Sequence, residues 1–511
     1  MLLIWSMIFA SAFAAIRLDI VRKAGVTKPN SRRIPPRATI YASLLNNITA
    51  GGYVASVTVG TPPQNIDLVI QTTSSDTWLL DSTADLCTQS SLQTHYGDGC
   101  KTPSSSSLSN DLYAGPADFS IACADGSKAS GAFITDLFTI DNTTLRTQMG
   151  LAYNTSTPTG ILGLGYPAIE ASGPNLVYPT ILDLLVSSNS IASSAYSLYL
   201  DELASSTGSL LLGGIDTAKF HGNLTIIPTV PKSYPNGTAV FTQFAVPLME
   251  LSITAQDGSI THLPMPAEPV TLDAGTTISY LPASLTTPLF AFLGAIDDTP
   301  SSGDVFIDCQ LLHTAPNITI NFHFTSSSTP TIKVLLRELI FDFGKPGFKP
   351  PENYQLPQLP FSNPCGFGIQ KGVEGGYLLG DTFLRSAYAV FDLDANEVGL
   401  AQARFGPGEQ GRVMEFESGG EGIASVSGIP VASTEEGSAV VSSDAESVTG
   451  CVSGASGSGS GSGCATGALP PVTSKGKSGA VLISRTSGWE YVCASVVIIV
   501  GMMLGGGLVV M

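Results

Sequence analysis

Two short runs of this chain share one design, and each puts a polar side chain where an apolar strand breaks into a turn. The first is DLVIQTTSSDTW at 67–78 and the second is VTLDAGTT at 270–277. In both, apolar residues give way to small, hydroxyl-bearing ones. Both are followed by an apolar–apolar–Gly run, ILGLG at 161–165 and YLLGD at 377–381. The second run carries Asp273, a carboxylate able to exchange a proton or to cap the N–H groups of its own turn. The first carries Gln71, an amide with no titratable proton in the working range. The chain shows no metal-ligand spacing and no dinucleotide or phosphate loop, so neither a metal nor a cofactor is expected.

The two runs, together with VGTPPQ at 59–64, GSLLLGGID at 208–216 and GDTFLRSAY at 380–388, resemble the pepsin-like aspartic peptidases, particularly the fungal glycolipid-anchored ones. The resemblance covers residues 41–405. It implies an all-β, bilobal fold with a cleft between two pseudo-symmetric lobes, each supplying one catalytic Asp. That family's chemistry needs two carboxylates roughly 3 Å apart that share one proton. The ionised one activates a water and the protonated one donates to the scissile carbonyl. Their repulsion splits the two pKa values. On this resemblance Asp273 holds the second-lobe catalytic position and Gln71 stands in place of the first-lobe Asp. An amide cannot trade protons with Asp273, and its extra methylene crowds the site.

Three further positions depart from the pattern. Thr73 stands where the family has a turn Gly, and a β-branched residue resists unusual φ. Ala274 replaces the Ser or Thr that braces the lobes beneath the dyad, while Thr72 keeps its side. IACADGS at 121–127 resembles the flap hairpin that closes over substrate, with Cys123 where the flap Tyr is expected. The substrate-binding positions implied by the resemblance are Cys123, Asp125, Gly126, Ser127, Trp78, Thr72, Gly275 and Thr276.

Four departures on an intact scaffold imply relaxed selection on catalysis, with Asp273 left mainly as a turn cap. Three functions stay open. One is a surface-held homologue, catalytically dead or strongly impaired, that keeps its cleft for a peptide or protein ligand. Another is an active aspartic-type endopeptidase at acidic pH, rescued by a further carboxylate entering the cleft; Asp76 and Asp81 are near in sequence, but the strand geometry should point them elsewhere. The third is a structural cell-surface glycoprotein. A monomer is the expected state.

The elements that must position these residues are strands. Residues 53–59 alternate, a Gly-Thr-Pro-Pro turn follows, and residues 66–70 form a second strand. With 54 Gly and 33 Pro against 13% charged residues, turns and short strands outweigh long helices, which makes the chain all-β. Short helices are expected at 178–187 and 282–293. Of 511 residues, 43% are hydrophobic, enough for two lobes, placed at 38–222 and 223–405. The net charge of −18 repels nucleic acid, so no such partner is expected.

The ends read as address labels. Residues 1–14 form a signal peptide ending in Ala12-Phe13-Ala14. Residues 15–37 are basic, with Arg17, Arg22, Lys23, Lys28, Arg32, Arg33 and Arg37 against Asp19. This stretch is either a removable pro-segment cut at Arg32-Arg33 or a disordered arm. Residues 406–478, rich in Gly, Ser, Glu and Ala, read as a disordered stalk with an r.m.s. span of about 45 Å. Residues 479–511 read as a glycolipid-anchor signal with attachment at Ser478, which puts the chain on the secretory route to the outer surface of the plasma membrane or the cell wall. Disulfides are expected between Cys87 and Cys100 and between Cys309 and Cys365. Cys451 and Cys464 could close a small loop, Cys493 lies in the removable tail, and Cys123 has no evident partner. Sequons at Asn47, Asn142, Asn154, Asn223, Asn236 and Asn317 suit N-glycosylation.

Overall fold

The strand Tyr53–Val59 turns Ser56 and Thr58 outward and buries Ala55, Val57 and Val59. It pairs antiparallel with Gln64–Gln71, Val54 opposite Val69 and Val59 opposite Gln64. Gly60, at φ +89°, makes the tight link between them. In this computed structural model the described residues are 16–22, 52–92, 118–123, 127–169, 178–205, 207–234, 236–325, 330–344, 356–406, 413–417 and 422–433. All of them fall in one compact unit.

The duplicated motif folds the same way twice. After the turn that ends Gln64–Gln71 the chain forms Trp78–Leu80, and Ile161–Gly163 threads between the two. It runs parallel to the first strand, with Ile70 opposite Leu162, and antiparallel to the second, with Trp78 opposite Ile161. In the second copy Leu378–Leu379 threads between Ile260–Leu272 and Ser279–Leu281, with Leu272 opposite Leu379 and Tyr280 opposite Leu378. The Gly of each threading run is a steric necessity. A Cβ on Gly163 would lie 2.5 Å from the Asp76 carbonyl oxygen, and one on Gly380 would lie 2.3 Å from that of Ile278.

The bilobal all-β architecture follows. Among the described residues a 14-stranded sheet runs through the first lobe into a section shared by both halves, where Ala387–Asp392 lies beside Ala195–Tyr199 and Val390 faces Ser197. The second lobe rests on a seven-stranded and a four-stranded sheet. One apolar cluster runs through both lobes and includes Leu68 and Leu162 of the first and Leu272, Phe322 and Leu379 of the second. The helices fall where expected. Ile181–Ser187 is capped reciprocally by Thr180 and Asp183, and Ala283–Leu293 ends at Gly294 with φ +67°.

Several boundaries differ from the sequence reading. The division at 222/223 falls inside the strand Phe220–Pro228, which belongs to the shared section. Ile16–Arg22 is a strand between Thr207–Leu212 and Tyr53–Val59, so these seven residues are not a disordered arm. The body also continues past 405. Phe416, Ile423, Val426 and Ile429 are buried, and Val413–Glu415 and Val431–Ser433 are strands, which corrects the disordered-stalk reading for 413–417 and 422–433. Widely spaced apolar side chains pay for this order where average composition predicts none.

Cys309 and Cys365 form a disulfide, Cα atoms 5.2 Å apart. Cys87 is also disulfide-bonded, and its expected partner Cys100 lies outside the described residues. So do Asn47, Asp125, Gly126, Cys451, Cys464, Ser478 and Cys493.

Candidate active site

The two threaded motifs bring their turns face to face. The Thr72 hydroxyl donates to the Leu272 carbonyl oxygen at 2.8 Å and accepts from the Ala274 N–H at 3.1 Å. Thr72 is thus one half of a brace between lobes. Ala274 has no hydroxyl to supply the other half, so the brace is one-sided.

Asp273 is fully buried beside this brace. Its N–H donates to the Leu379 carbonyl, which fixes the backbone through the threading strand. Its Oδ1 accepts from the Thr73 hydroxyl and from the Gly275 N–H, each at 3.0 Å, and its Oδ2 accepts from the Thr276 hydroxyl. Burial pushes its pKa from 3.8 up to about 6, against these three donors, which pull it down. The local donors, Gly275 and Thr276, make Asp273 a cap of its own turn. The third, Thr73, comes from the other lobe.

Gln71 is also buried, 1% exposed, and lies across the opposing turn. A Cβ on Gly275 would sit 2.8 Å from Gln71 Cγ and 3.1 Å from its Nε2. Glycine at 275 therefore supplies the space that the longer Gln side chain fills. Thr73 keeps an ordinary backbone, since it is not among the described residues with positive φ, and Gly275 also stays outside that region. The expected φ strain at Thr73 is absent because the turn does not need a left-handed residue there. What Thr73 changes is the side chain, which puts a hydroxyl onto Asp273. No signal in either turn alone points to this contact, because it joins residues 200 positions apart.

The centre thus holds one titratable carboxyl, an amide, and hydroxyls around them. Such a group can accept or donate a proton singly, and among the described residues no second carboxylate is seen to share it. The carboxylates considered as rescuers are engaged elsewhere. Asp76 accepts from the Tyr178 hydroxyl at 2.5 Å, and Asp81 accepts from the Thr83 N–H and hydroxyl at 2.7 Å each.

The flap region is a hairpin. Asp118–Ala122 pairs antiparallel with Lys128–Ile140, and the Cys123 N–H donates to the Ser127 carbonyl at 2.8 Å. Cys123 is a free, half-buried thiol packed on the apolar cluster that holds Trp78, Phe119 and Ile121. Trp78 is 2% exposed, with its ring 6.2 Å from that of Phe119. It supports the hairpin from below rather than offering surface to a ligand, because its side chain is spent in the core. Thr72, Gly275 and Thr276 do gather around Asp273, and Ser127 is buried at the turn end of the paired strands. Among the described residues one trio of potential metal donors converges, Cys309, Asp342 and Cys365, and its two sulfurs are joined in the disulfide. Asn142, Asn154, Asn223, Asn236 and Asn317 are all exposed.

Comparison with known proteins agrees with this architecture. Residues 52–403 match the family described as eukaryotic aspartyl protease. The probable aspartic-type endopeptidase OPSB of Trichophyton verrucosum is 33% identical over 424 residues, covering 82% of this chain and 79% of the relative. Secreted aspartic protease 8 of Candida albicans is 31% identical, covering 72% and 80%. Barrierpepsin of Saccharomyces cerevisiae is 30% identical, covering 78% and 68%. The crystal structure of an aspartic proteinase from Irpex lacteus superposes with a TM-score of 0.54 at 19% identity, over 77% of this chain and 98% of that one, and so shares the fold.

Proposed function

Because the chain belongs to the eukaryotic aspartyl protease family, a pepsin-like family, we propose that it is a secreted member that keeps the peptide-binding cleft and has lost most or all of its peptidase activity. The observation that carries this reading is Gln71. Where a second carboxylate would have to share a proton with Asp273, an amide packs on Gly275 instead, and the Thr73 hydroxyl occupies Asp273 Oδ1. The cleft then recognises peptide or protein ligands without turning them over.

The relatives named secreted aspartic protease and endopeptidase support a secretory route and a peptide ligand. The apolar run at 491–511, with the spacer at 481–490 before it, supports a glycolipid anchor at Ser478 that holds the protein at the cell surface. The five exposed sequons support N-glycosylation of this face-to-solvent glycoprotein.

One observation favours an active enzyme instead. Burial raises the Asp273 carboxyl to about 6, in the range of a working general acid. The deciding experiment offers the secreted protein an immobilised transition-state-mimic peptide and, separately, a peptide library at acidic pH. Retention without hydrolysis is expected. Hydrolysis of the library means an active enzyme, and failure of retention leaves a structural glycoprotein.

A further inference from the structure

The match to the family ends at residue 403, yet the chain goes on building structure after it. Val413–Glu415 pairs antiparallel with Gly214–Asp216, and the Phe416 N–H donates to the Gly213 carbonyl at 3.1 Å. Val431–Ser433 then adds a parallel strand to the edge of Phe220–Pro228, Leu224 opposite Val431, and the Leu224 N–H donates to the Pro430 carbonyl at 2.8 Å. These attachments are to the end of the first half and to the strand that crosses between halves.

The same segment also bonds to the second half. The Ile423 N–H donates to Glu397 Oε1 at 2.6 Å. Gly422 makes this approach possible. Its φ is +69°, and a Cβ there would lie 2.3 Å from Glu397 Oε1 and 2.8 Å from Ala395 Cβ. Side chains follow the backbone. Phe416, Ile423, Val426 and Ile429 complete an apolar cluster whose other members include Tyr199 and Phe220 from the first half and Tyr388 and Val390 from the second. The sheet shared by the lobes has apolar side chains on both faces, and this segment lids the face that the main core does not reach.

We propose that residues 413–417 and 422–433 act as a strap that closes the outer face of the shared sheet and couples the two lobes, so that they unfold as one unit. Paired and hydrogen-bonded contacts to both halves make the coupling, since neither lobe can move from the sheet without breaking some of them. An edge strand laid on Phe220–Pro228 also covers backbone groups that would otherwise invite pairing with another chain.

The test uses the full chain with Ile423→Asp and Ile429→Asp together, each placing a carboxylate in the buried cluster. Hydrogen exchange is read at two amides, Leu224, which bonds to Pro430, and Val69, which bonds to the Gly160 carbonyl at 3.0 Å far from the strap in sequence. Calorimetry reads the number of unfolding transitions. The expected result is exchange at Leu224 at least about tenfold faster, protection of Val69 retained, and one unfolding transition split into two. Unchanged exchange at Leu224, or faster exchange with a single transition at the original temperature, overturns the strap. Should the double variant also lose protection at Val69, Phe416→Ala gives the same readings with a milder change, and the same outcomes decide.

Discussion

The hydroxyl of Thr73 reaches Oδ1 of Asp273 at 3.0 Å across 200 positions of sequence. This donor comes from the first lobe, whereas Gly275 and Thr276, which also donate to the carboxyl, belong to the turn of Asp273 itself. Two replacements thus act together. Gln71 withdraws the proton-sharing partner, and Thr73 supplies a neutral donor to the carboxyl that remains. Asp273 is held as a cross-lobe cap, buried and hydrogen-bonded on both oxygens.

A first prediction concerns stability and pH. Burial raises the carboxyls of Asp273 and Asp392 from 3.8 to about 6, with the Asp394 charge adding to the effect on Asp392. The folded state therefore binds these protons more tightly than the unfolded chain. Their favourable contribution is full below about pH 4 and is lost as pH rises through about 6. Each contributes at most about 3 kcal/mol across that interval. Thermal unfolding of the native protein should occur at higher temperature at pH 4 than at pH 7. In Asp273→Asn the gap to the native protein should close, or reverse, between pH 4 and pH 7. A difference between the two proteins that does not change with pH would remove Asp273 from this account.

Removing the brace gives a second prediction. Thr72→Val keeps the shape but leaves the Leu272 carbonyl and the Ala274 N–H without their buried hydroxyl partner. The expected cost is about 2–6 kcal/mol by urea unfolding, from about 1–3 kcal/mol for each of the two groups left unsatisfied. Thr72→Ser retains the hydroxyl and should cost less than about 1.5 kcal/mol, for the lost methyl. Equal costs for the two variants would mean that Thr72 acts by packing and not by bridging.

Much of this is legible in the sequence. The repeated turn, the two Gly-terminated threading runs and the block order specify the bilobal scaffold, because each Gly sits where a Cβ would strike a backbone carbonyl. The Cys309–Cys365 pair was legible from the placing of the cysteines and the oxidising compartment that the secretory reading implies. The contact between Thr73 and Asp273 was not, since it depends on how two lobes meet and not on either turn alone. The strap was hidden by averaging. Phe416, Ile423, Val426 and Ile429 are spread through a Gly- and Ser-rich stretch, and a compositional window dilutes them. In Ile16–Arg22 the basic residues of the surrounding stretch mask the strand, although Ile16, Leu18 and Ile20 alternate as a strand requires.

The Cys309–Cys365 disulfide closes a sequence separation of 56 residues within the second lobe. Replacing both cysteines by Ala should lower stability by about 2–5 kcal/mol, since the unfolded chain regains the freedom of that loop. The first-lobe amide of Val69 should keep its exchange protection under native conditions. If the double Ala variant melts within a degree of the native protein, the bond carries little of the lobe's stability.

The last prediction concerns the chemistry at Gln71. General acid–base groups typically contribute about 10²–10⁴-fold to rate. With an amide in place of one carboxylate, peptidase activity should lie at least about 10⁴-fold below that of a relative with both. Gln71→Asp shortens the side chain away from Gly275 and restores a second titratable group. Alone it should recover only part of the loss, because the Thr73 hydroxyl still occupies Asp273 Oδ1 and the brace at Ala274 is still missing. Adding Thr73→Gly frees that oxygen, and adding Ala274→Ser supplies the second brace hydroxyl. Each should raise activity further, and because the three positions share one network their gains should not add. The coupling has its own signature in pH. In the native protein Asp273 titrates singly, near 6, whereas two facing carboxyls should give two separated pKa values and a bell-shaped rate profile. The measurement is peptide hydrolysis from about pH 3 to 6, where such pairs work, on the native protein and the stepwise variants. Robust turnover by the native protein, blocked by a transition-state-mimic inhibitor and unaffected by Gln71→Asp, would show that another group already fills the role of the missing carboxylate.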